Sequence, residues 1–244
     1  MITGTLDLPR SGRLACWLQA LVEARVSLDD ALAAITAGDA AHHVAGLTAD
    51  ADLEPLALAL GRLRATTRWT HAVIPVAGDP AGLAGPAAFN TEAIEVGEGV
   101  VLGGTGRGVV PHAAGAGVVW QVYEAAEPPP HDVAESHRCL RRALVETADA
   151  LAALDVARWS PDAADALLNL RRTLDLDLPP GWPAETATLA VLAVRCRAIV
   201  AAALADDGAA VSASEAELRA AALQPLARAS RAAIGAACSG RRDR

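Results

Sequence analysis

The sequence predicts an α+β fold that is mostly helical, with a small sheet in the N-terminal half and a helical bundle in the C-terminal half. Three observations lead to this fold class. Apolar residues recur at helical spacing in residues 11–63 and again after residue 131. Between these stretches, the segments 70–76 and 117–123 are rich in β-branched residues and predict strands. The three prolines at 128–130 predict an extended linker, which divides the chain into domains at 1–127 and 131–240.

The N-terminal half begins with three predicted helices. Ser11 can cap the first, and Ser27 can cap a second helix that Gly38 ends. A third helix is predicted to begin at Asp52, with Pro55 in its first turn, where a missing N–H costs little. All three carry leucines at helical spacing, which indicates that each helix buries one apolar face.

The segment between the two predicted strands is ambiguous. Residues 89–98 fit both a helix, because glutamates recur every third residue, and a strand, because apolar residues alternate with them. We favour a short helix, followed by a strand at 99–102. Glycine-rich loops precede the helix and follow this strand.

The C-terminal half is predicted to be helical throughout. Asp132 and Glu135 form a capping box for its first helix. Ser160 can cap a second helix, and a long helix is predicted over 184–205. The last helical segment is expected to be broken at Pro225, since proline removes one hydrogen bond and clashes with the preceding turn.

The composition excludes several classes of function. All 21 cations of the 244-residue chain are arginine. Schiff-base chemistry and a phosphate-binding Walker lysine are therefore excluded. A formal net charge of −8 without a basic stripe argues against a nucleic-acid partner. The abundance of Ala and Arg is typical of a high-GC bacterial genome.

Several features predict a cytoplasmic protein rather than an exported or membrane protein. The N-terminus lacks the form of a signal peptide, because Asp7 lies where a basic region is expected. Arg195 and Arg197 lie near the centre of the most hydrophobic stretch, 189–205, and argue against a membrane span. The four cysteines form no CxxC pair, which predicts neither a metal cluster nor a disulfide framework and indicates a reducing compartment.

The first candidate ligand site is the glycine-rich loop 103–108. Successive backbone N–H groups of Gly104 and Gly106 can form an anion-binding nest, and Arg107 can add a charge-assisted hydrogen bond to a phosphate or carboxylate. A dinucleotide fingerprint or P-loop must open a helix, whereas Val-Val-Pro follows here. A hairpin between two strands is therefore the favoured interpretation, with an anion site as the alternative.

A second candidate is the Gly/Pro-rich loop 75–90, which contains Asp79 and Asn90 and follows a predicted buried strand. Loops in this position carry ligand sites in many α/β folds. If it closes on the loop 103–108, the two loops would share one pocket. A simple crossover loop is the favoured alternative.

The third candidate is a metal site at Asp39, His42 and His43. These positions would face one side of a helix, and His71 or His112 would have to supply a third ligand. The favoured interpretation is structural, with Asp39 as a helix cap and the histidines as ordinary polar residues. We therefore predict no metal and no cofactor.

Three stretches, 38–47 (GDAAHHVAGL), 75–90 (PVAGDPAGLAGPAAFN) and 155–159 (DVARW), resemble a group of uncharacterised proteins common in actinobacteria. The resemblance extends over most of the chain. It implies no activity, cofactor or catalytic residue.

The favoured function is a non-catalytic protein that forms homo-oligomers or binds a protein partner, because searches for a nucleophile elbow or a cysteine–histidine pair find none. An enzymatic role stays open. The alternative is a small-molecule binder or enzyme that takes an anionic ligand between the loops 75–90 and 103–108, with Arg107, Gly104, Gly106, Asp79 and Asn90 as binding residues.

Overall fold

The computed structural model describes residues 7–48, 51–153, 175–205 and 213–240. In chain order the elements are α1 (Arg10–Val22), α2 (Leu28–Thr36), β1 (His42–Thr48), β2 (Ala51–Pro55), α3 (Leu56–Thr66), β3 (Trp69–Val73), α4 (Ala87–Val96), β4 (Gly99–Gly103), β5 (Arg107–Ala114), β6 (Gly117–Glu124), α5 (Val133–Ala153), α6 (Ala184–Ala205) and α7 (Ala213–Ala237). The predicted fold class is confirmed in outline, with a sheet in the N-terminal half and helices in the C-terminal half.

The sheet has six strands in the order β2-β1-β6-β5-β4-β3. Strands β3 to β6 form an antiparallel meander, and β1 and β2 form an antiparallel pair. The two groups join where β1 runs parallel to β6, with Val44 opposite Trp120. Helix α3 connects β2 at one edge of the sheet to β3 at the other.

The local predictions for the middle of the chain are confirmed. The ambiguous segment is a helix, α4, followed by the strand β4, and the two predicted strands correspond to β3 and β6. Strand β3 ends at Val73, two residues before Pro75, as expected because proline cannot donate to the ladder.

Four helix predictions are wrong. Helix α1 begins at Arg10 with Pro9 as its N-cap, so Ser11 lies inside the helix and does not cap it. Asp39 does not cap a helix, because His42–Thr48 forms β1, and no helix begins at Asp52, because Ala51–Pro55 forms β2. Pairing with β6 decides the conformation of β1, and tertiary pairing of this kind overrides local propensity. Pro55 lies just before α3 rather than in its first turn.

The fourth wrong prediction is the break at Pro225. Helix α7 continues through this residue, and the flanking Leu223 and Leu226 are buried. Their packing offsets the lost hydrogen bond. The helix predicted at Ser160 lies outside the described residues.

The hydrophobic core has two parts, one on each face of the sheet. On the first face, α1, α2, α3 and the C-terminal helices pack against side chains such as Val44, Val109 and Trp120. On the second face, Phe89 and Ala93 of α4 form a smaller cluster with residues of β3, β4 and β5.

The larger core contains residues from both sides of the prolines at 128–130. Ile234 of α7 and Cys238, which directly follows this helix, belong to the same cluster as Cys16 and Leu18 of α1. A main-chain hydrogen bond also joins the two halves of the chain, because Gly240 N–H donates to the carbonyl of Thr70 in β3 (2.8 Å). The N–H of Thr70 in turn donates to Gln19 Oε1 (3.0 Å), so this edge of the sheet is covered. The division into domains at 1–127 and 131–240 stays a prediction.

Helix α6 is the one helix among the described residues that is long and apolar enough to cross a bilayer, with a mean hydropathy of 1.9. Of the residues in that apolar stretch, 44% are buried inside the protein. Core helices of soluble proteins have the same length and composition, and α6 packs along α7 as such a helix does.

Candidate functional site

The glycine-rich loop 103–108 forms the tight turn between β4 and β5, as the hairpin interpretation predicts. Its polar groups bind the protein's own chain. Gly104 N–H donates to the Glu127 carboxylate (3.0 Å), and the Gly106 carbonyl accepts from Ala125 N–H (2.9 Å). The guanidinium of Arg107 donates to the carbonyl of Leu47 (2.9 Å). An internal carboxylate therefore lies where the predicted nest would hold an anion.

Asp79 and Asn90 each hold part of the loop 75–90 in place. A tight turn joins Val76 and Asp79, with Gly78 at a φ of +79°, and directs the Asp79 carboxylate to Arg231 of α7. Asn90 Oδ1 accepts from Gly85 N–H (3.1 Å). Both residues thus stabilise the loop.

The two loops line different cavities. Arg107 and Gly104 line one of about 450 Å³, together with Leu47 and Leu102. Asp79 lines another of about 380 Å³ against α6 and α7, and the two cavities share no residue. Ligand binding by Arg107, Gly104, Gly106, Asp79 and Asn90 stays a prediction.

Asp39 and His42 do meet, but in a buried network rather than on a helix. His42 Nε2 lies 3.0 Å from Asp39 Oδ2, and Trp120 Nε1 lies 3.3 Å from His42 Nδ1. Because the indole N–H is only a donor, His42 Nδ1 must accept and its proton must lie on Nε2. Asp39 also forms a two-point ion pair with Arg10 (2.7 and 2.9 Å).

This network is structural. His42 has both ring nitrogens bonded and a fully buried side chain, so it has no free position for a metal. His43 is the next residue on the strand and faces the other side of the sheet. The prediction that both histidines lie on one face of a helix is therefore wrong. Among the described residues, no group of three potential ligands could hold a metal ion.

The pKa values of this network respond to two opposing causes. The Arg10 guanidinium, bonded to Asp39, holds the pKa of that carboxyl well below its usual range. Burial lowers the pKa of His42, and the hydrogen bond to Asp39 only partly compensates. Burial also lowers the pKa of His131, which stacks on His71 at a centroid distance of 4.6 Å.

We expect the free energy of unfolding to fall as the pH drops below about 6.5, the pKa of an unfolded histidine. His42 and His131 have lowered pKa values in the folded protein, so the unfolded chain binds protons first. Each can contribute a slope of up to about 1.4 kcal/mol per pH unit, down to its folded pKa. Urea unfolding at a series of pH values measures this slope. An unchanged slope in the His42→Asn, His131→Asn double variant would contradict the assignment.

Among the residues that the structure describes, α4 is the only helix that packs on the second face of the sheet, and it covers one side of that face. Helix α4 packs over β3, β4 and β5, and it reaches β6 through the contact of Phe89 with Tyr123 (6.4 Å between ring centroids). Helices α1, α3 and α7 belong to the core on the first face. Beyond α4, the second face continues across β6, β1 and β2.

Strand register defines what this remaining surface presents. One row runs across the strands from Val119 to His43 to Pro55, and the next runs from Gln121 to Ala45 to Leu53. We call these residues the open face: His43, Ala45, Leu53, Pro55, Val119 and Gln121. Leu53 is 53% exposed, Pro55 is exposed, and the others are half-buried.

The open face carries no Asp, Glu, Lys or Arg. A sheet face that meets water normally presents polar side chains in alternation with buried ones. Here the residues of β6 on this face, Val119 and Gln121, are both uncharged, and they alternate with the buried Val118 and Trp120. This surface could not be recognised from the sequence, because the surface depends on β1 and β2, which were predicted to be helical. The alternation in 51–54 (ADLE) is the signal that could have indicated β2.

Two family models match the chain. Residues 11–135 match the Rv1486c-like protein, N-terminal domain, and residues 134–235 match the Rv1486c-like protein, C-terminal domain. The chain belongs to the Rv1486c-like family. The predicted membership of an uncharacterised family is confirmed, and no activity comes with it. Neither a curated protein nor a solved structure matches the chain. The open face lies entirely within the N-terminal family domain, whereas the contact of Asp79 with Arg231 joins the two domains.

Proposed function

We propose that this chain is a non-catalytic, self-associating protein of the bacterial cytoplasm whose open face binds the same face of a second copy. One observation carries the proposal. The open face carries no Asp, Glu, Lys or Arg, although the chain has a formal net charge of −8 and 20% charged residues. In this assembly, α5, α6 and α7 form the predicted bundle away from the interface.

The distribution of charge makes the open face the surface where a second copy is least repelled. Two chains of the same sign repel, so they associate best through surfaces that bring no like charges together. A two-fold axis places the same patch of both copies in contact. Packed face to face at about 10 Å, two sheets can interdigitate side chains such as Leu53 and Val119 without burying a charge.

The size of the open face predicts a weak dimer. A patch of six residues covers roughly a few hundred Å², less than the roughly 800 Å² per partner of a standard stable interface. We therefore expect a dissociation constant in the micromolar range or weaker. This corresponds to a binding free energy of about −8 kcal/mol or one smaller in magnitude.

The non-catalytic role is supported by the polar side chains that sequence analysis singled out. Arg107, Asp79, Asn90 and His42 each hydrogen-bond to other parts of the protein. A cytoplasmic location is supported by the four cysteines, since all are free thiols and three are buried.

Light scattering on the unmodified chain over a concentration series tests the proposal. We expect the mass to rise from that of the 24.9 kDa monomer toward twice that value between low micromolar and millimolar concentration. The rise in mass should persist in high salt, because salt weakens attraction between opposite charges and the open face carries no Asp, Glu, Lys or Arg. A monomer mass at every concentration would contradict the proposal.

A further inference from the structure

The cavity beside Asp79 combines an apolar wall with a cationic end. It has a volume of about 380 Å³ and lies between the turn at 76–79 and the helices α6 and α7. Val76, Val200, Leu204 and Leu223 line it. This volume is within the range of small-molecule sites in proteins.

Arg228 and Arg231 form the cationic end. They are one turn apart on α7, and both face the Asp79 carboxylate. Arg231 donates to Asp79 Oδ2 at 2.5 Å, whereas Arg228 Nε lies 3.7 Å from the same oxygen, beyond hydrogen-bond distance. One carboxylate thus opposes two guanidiniums, which leaves a net charge of +1.

Arg231 also has an unused donor. Its side chain is only 16% exposed, and its buried Nε finds no hydrogen-bond partner among the described residues. A buried donor without a partner costs free energy, so Asp79 alone does not satisfy the Arg231 guanidinium. Arg228 is 65% exposed and presents its remaining donors at the mouth of the cavity.

We propose that this cavity binds a small monocarboxylate with an apolar tail. The carboxylate lies between Arg228 and Arg231, where it neutralises the remaining positive charge, and the tail lies along Val200, Leu204 and Leu223. A monoanion fits better than a phosphate dianion, which would leave a net negative charge beside Asp79. The side chains around the tail are aliphatic, so an unbranched hydrocarbon chain fits them.

Isothermal titration calorimetry with octanoate tests this site. We expect one octanoate per chain, and we expect Arg228→Gln to weaken binding about tenfold through the loss of a charge-assisted hydrogen bond. The exposed side chain of Arg228 makes a folding defect in this variant small. Arg64→Gln is the matched control, because Arg64 is an exposed arginine of α3 outside this cavity, and its octanoate affinity should equal that of the parent.

Asp79→Asn should change the octanoate affinity in the opposite direction to Arg228→Gln. It removes the internal carboxylate and raises the charge of the cavity, so octanoate should bind more tightly than to the parent. Equal affinity for octanol and octanoate would overturn the proposal, as would tighter binding of inorganic phosphate. No binding of octanoate at millimolar concentration, or equal weakening by Arg228→Gln and Arg64→Gln, would also overturn it. None of these results depends on self-association, because no residue of the open face lines this cavity.

Discussion

Replacing Trp120 by alanine is expected to lower the free energy of unfolding by about 4 kcal/mol. Trp120 is the largest fully buried side chain, and it lies on β6 between Val44 of β1 and Pro111 of β5. The variant leaves a cavity where three strands meet the larger core. It also removes the N–H that donates to His42 Nδ1.

Trp120→Phe separates these two causes. Phenylalanine keeps much of the packing but leaves His42 Nδ1 without its donor, so we expect a loss of about 2 kcal/mol. Urea unfolding at pH 7.5 measures both variants. A loss below about 1 kcal/mol for Trp120→Ala would show that this residue is not at the centre of the core.

Gly117→Ala is expected to cost about 2 to 3 kcal/mol, because it overpacks the start of the parallel strand pair. A Cβ atom at Gly117 would lie 2.5 Å from the carbonyl oxygen of Ala41. Backbone atoms cannot rotate away as a side chain can. Two main-chain hydrogen bonds fix them here, from Ala40 N–H to Ala116 O (2.8 Å) and from Val118 N–H to Ala41 O (2.9 Å).

Gly61→Ala is the matched control for this substitution. It makes the same chemical change in the middle of α3, where a Cβ atom would meet no other atom within 4 Å. Alanine is the better helix former, so this variant should be more stable than the parent by about 0.5 to 1 kcal/mol. If both substitutions changed the free energy of unfolding in the same direction, the steric explanation for Gly117 would be contradicted.

Sequence reasoning succeeded where short-range patterns decide the structure. Strand β6 is predicted from a run rich in β-branched residues, and α4 is predicted from its regularly spaced glutamates. It failed for β1, which pairs with a strand about 75 residues later in the chain, and for β2, which pairs in turn with β1. The break predicted at Pro225 failed for a related reason, since buried leucines on both sides hold α7 together.

The same distinction applies to the candidate sites. The hairpin at 103–108 follows from its glycines, and its partner Glu127 lies close in sequence. The partner of Asp79 is Arg231, 152 residues away, and no local signal connects them. The open face depends on the register of three strands, so it could be recognised only once His43, Leu53 and Val119 were placed on the same side of the sheet.

Sedimentation velocity on a pair of variants tests the role of the open face most directly. Leu53→Glu puts a charge on the open face, whereas Leu58→Glu puts the same charge on α3, which packs on the opposite side of the sheet. Both leucines are exposed, at 53% and 62%, so both variants should fold. We predict that Leu53→Glu sediments as a monomer at concentrations where the parent and Leu58→Glu sediment as dimers. A dimer of Leu53→Glu that is as stable as that of the parent would contradict the account.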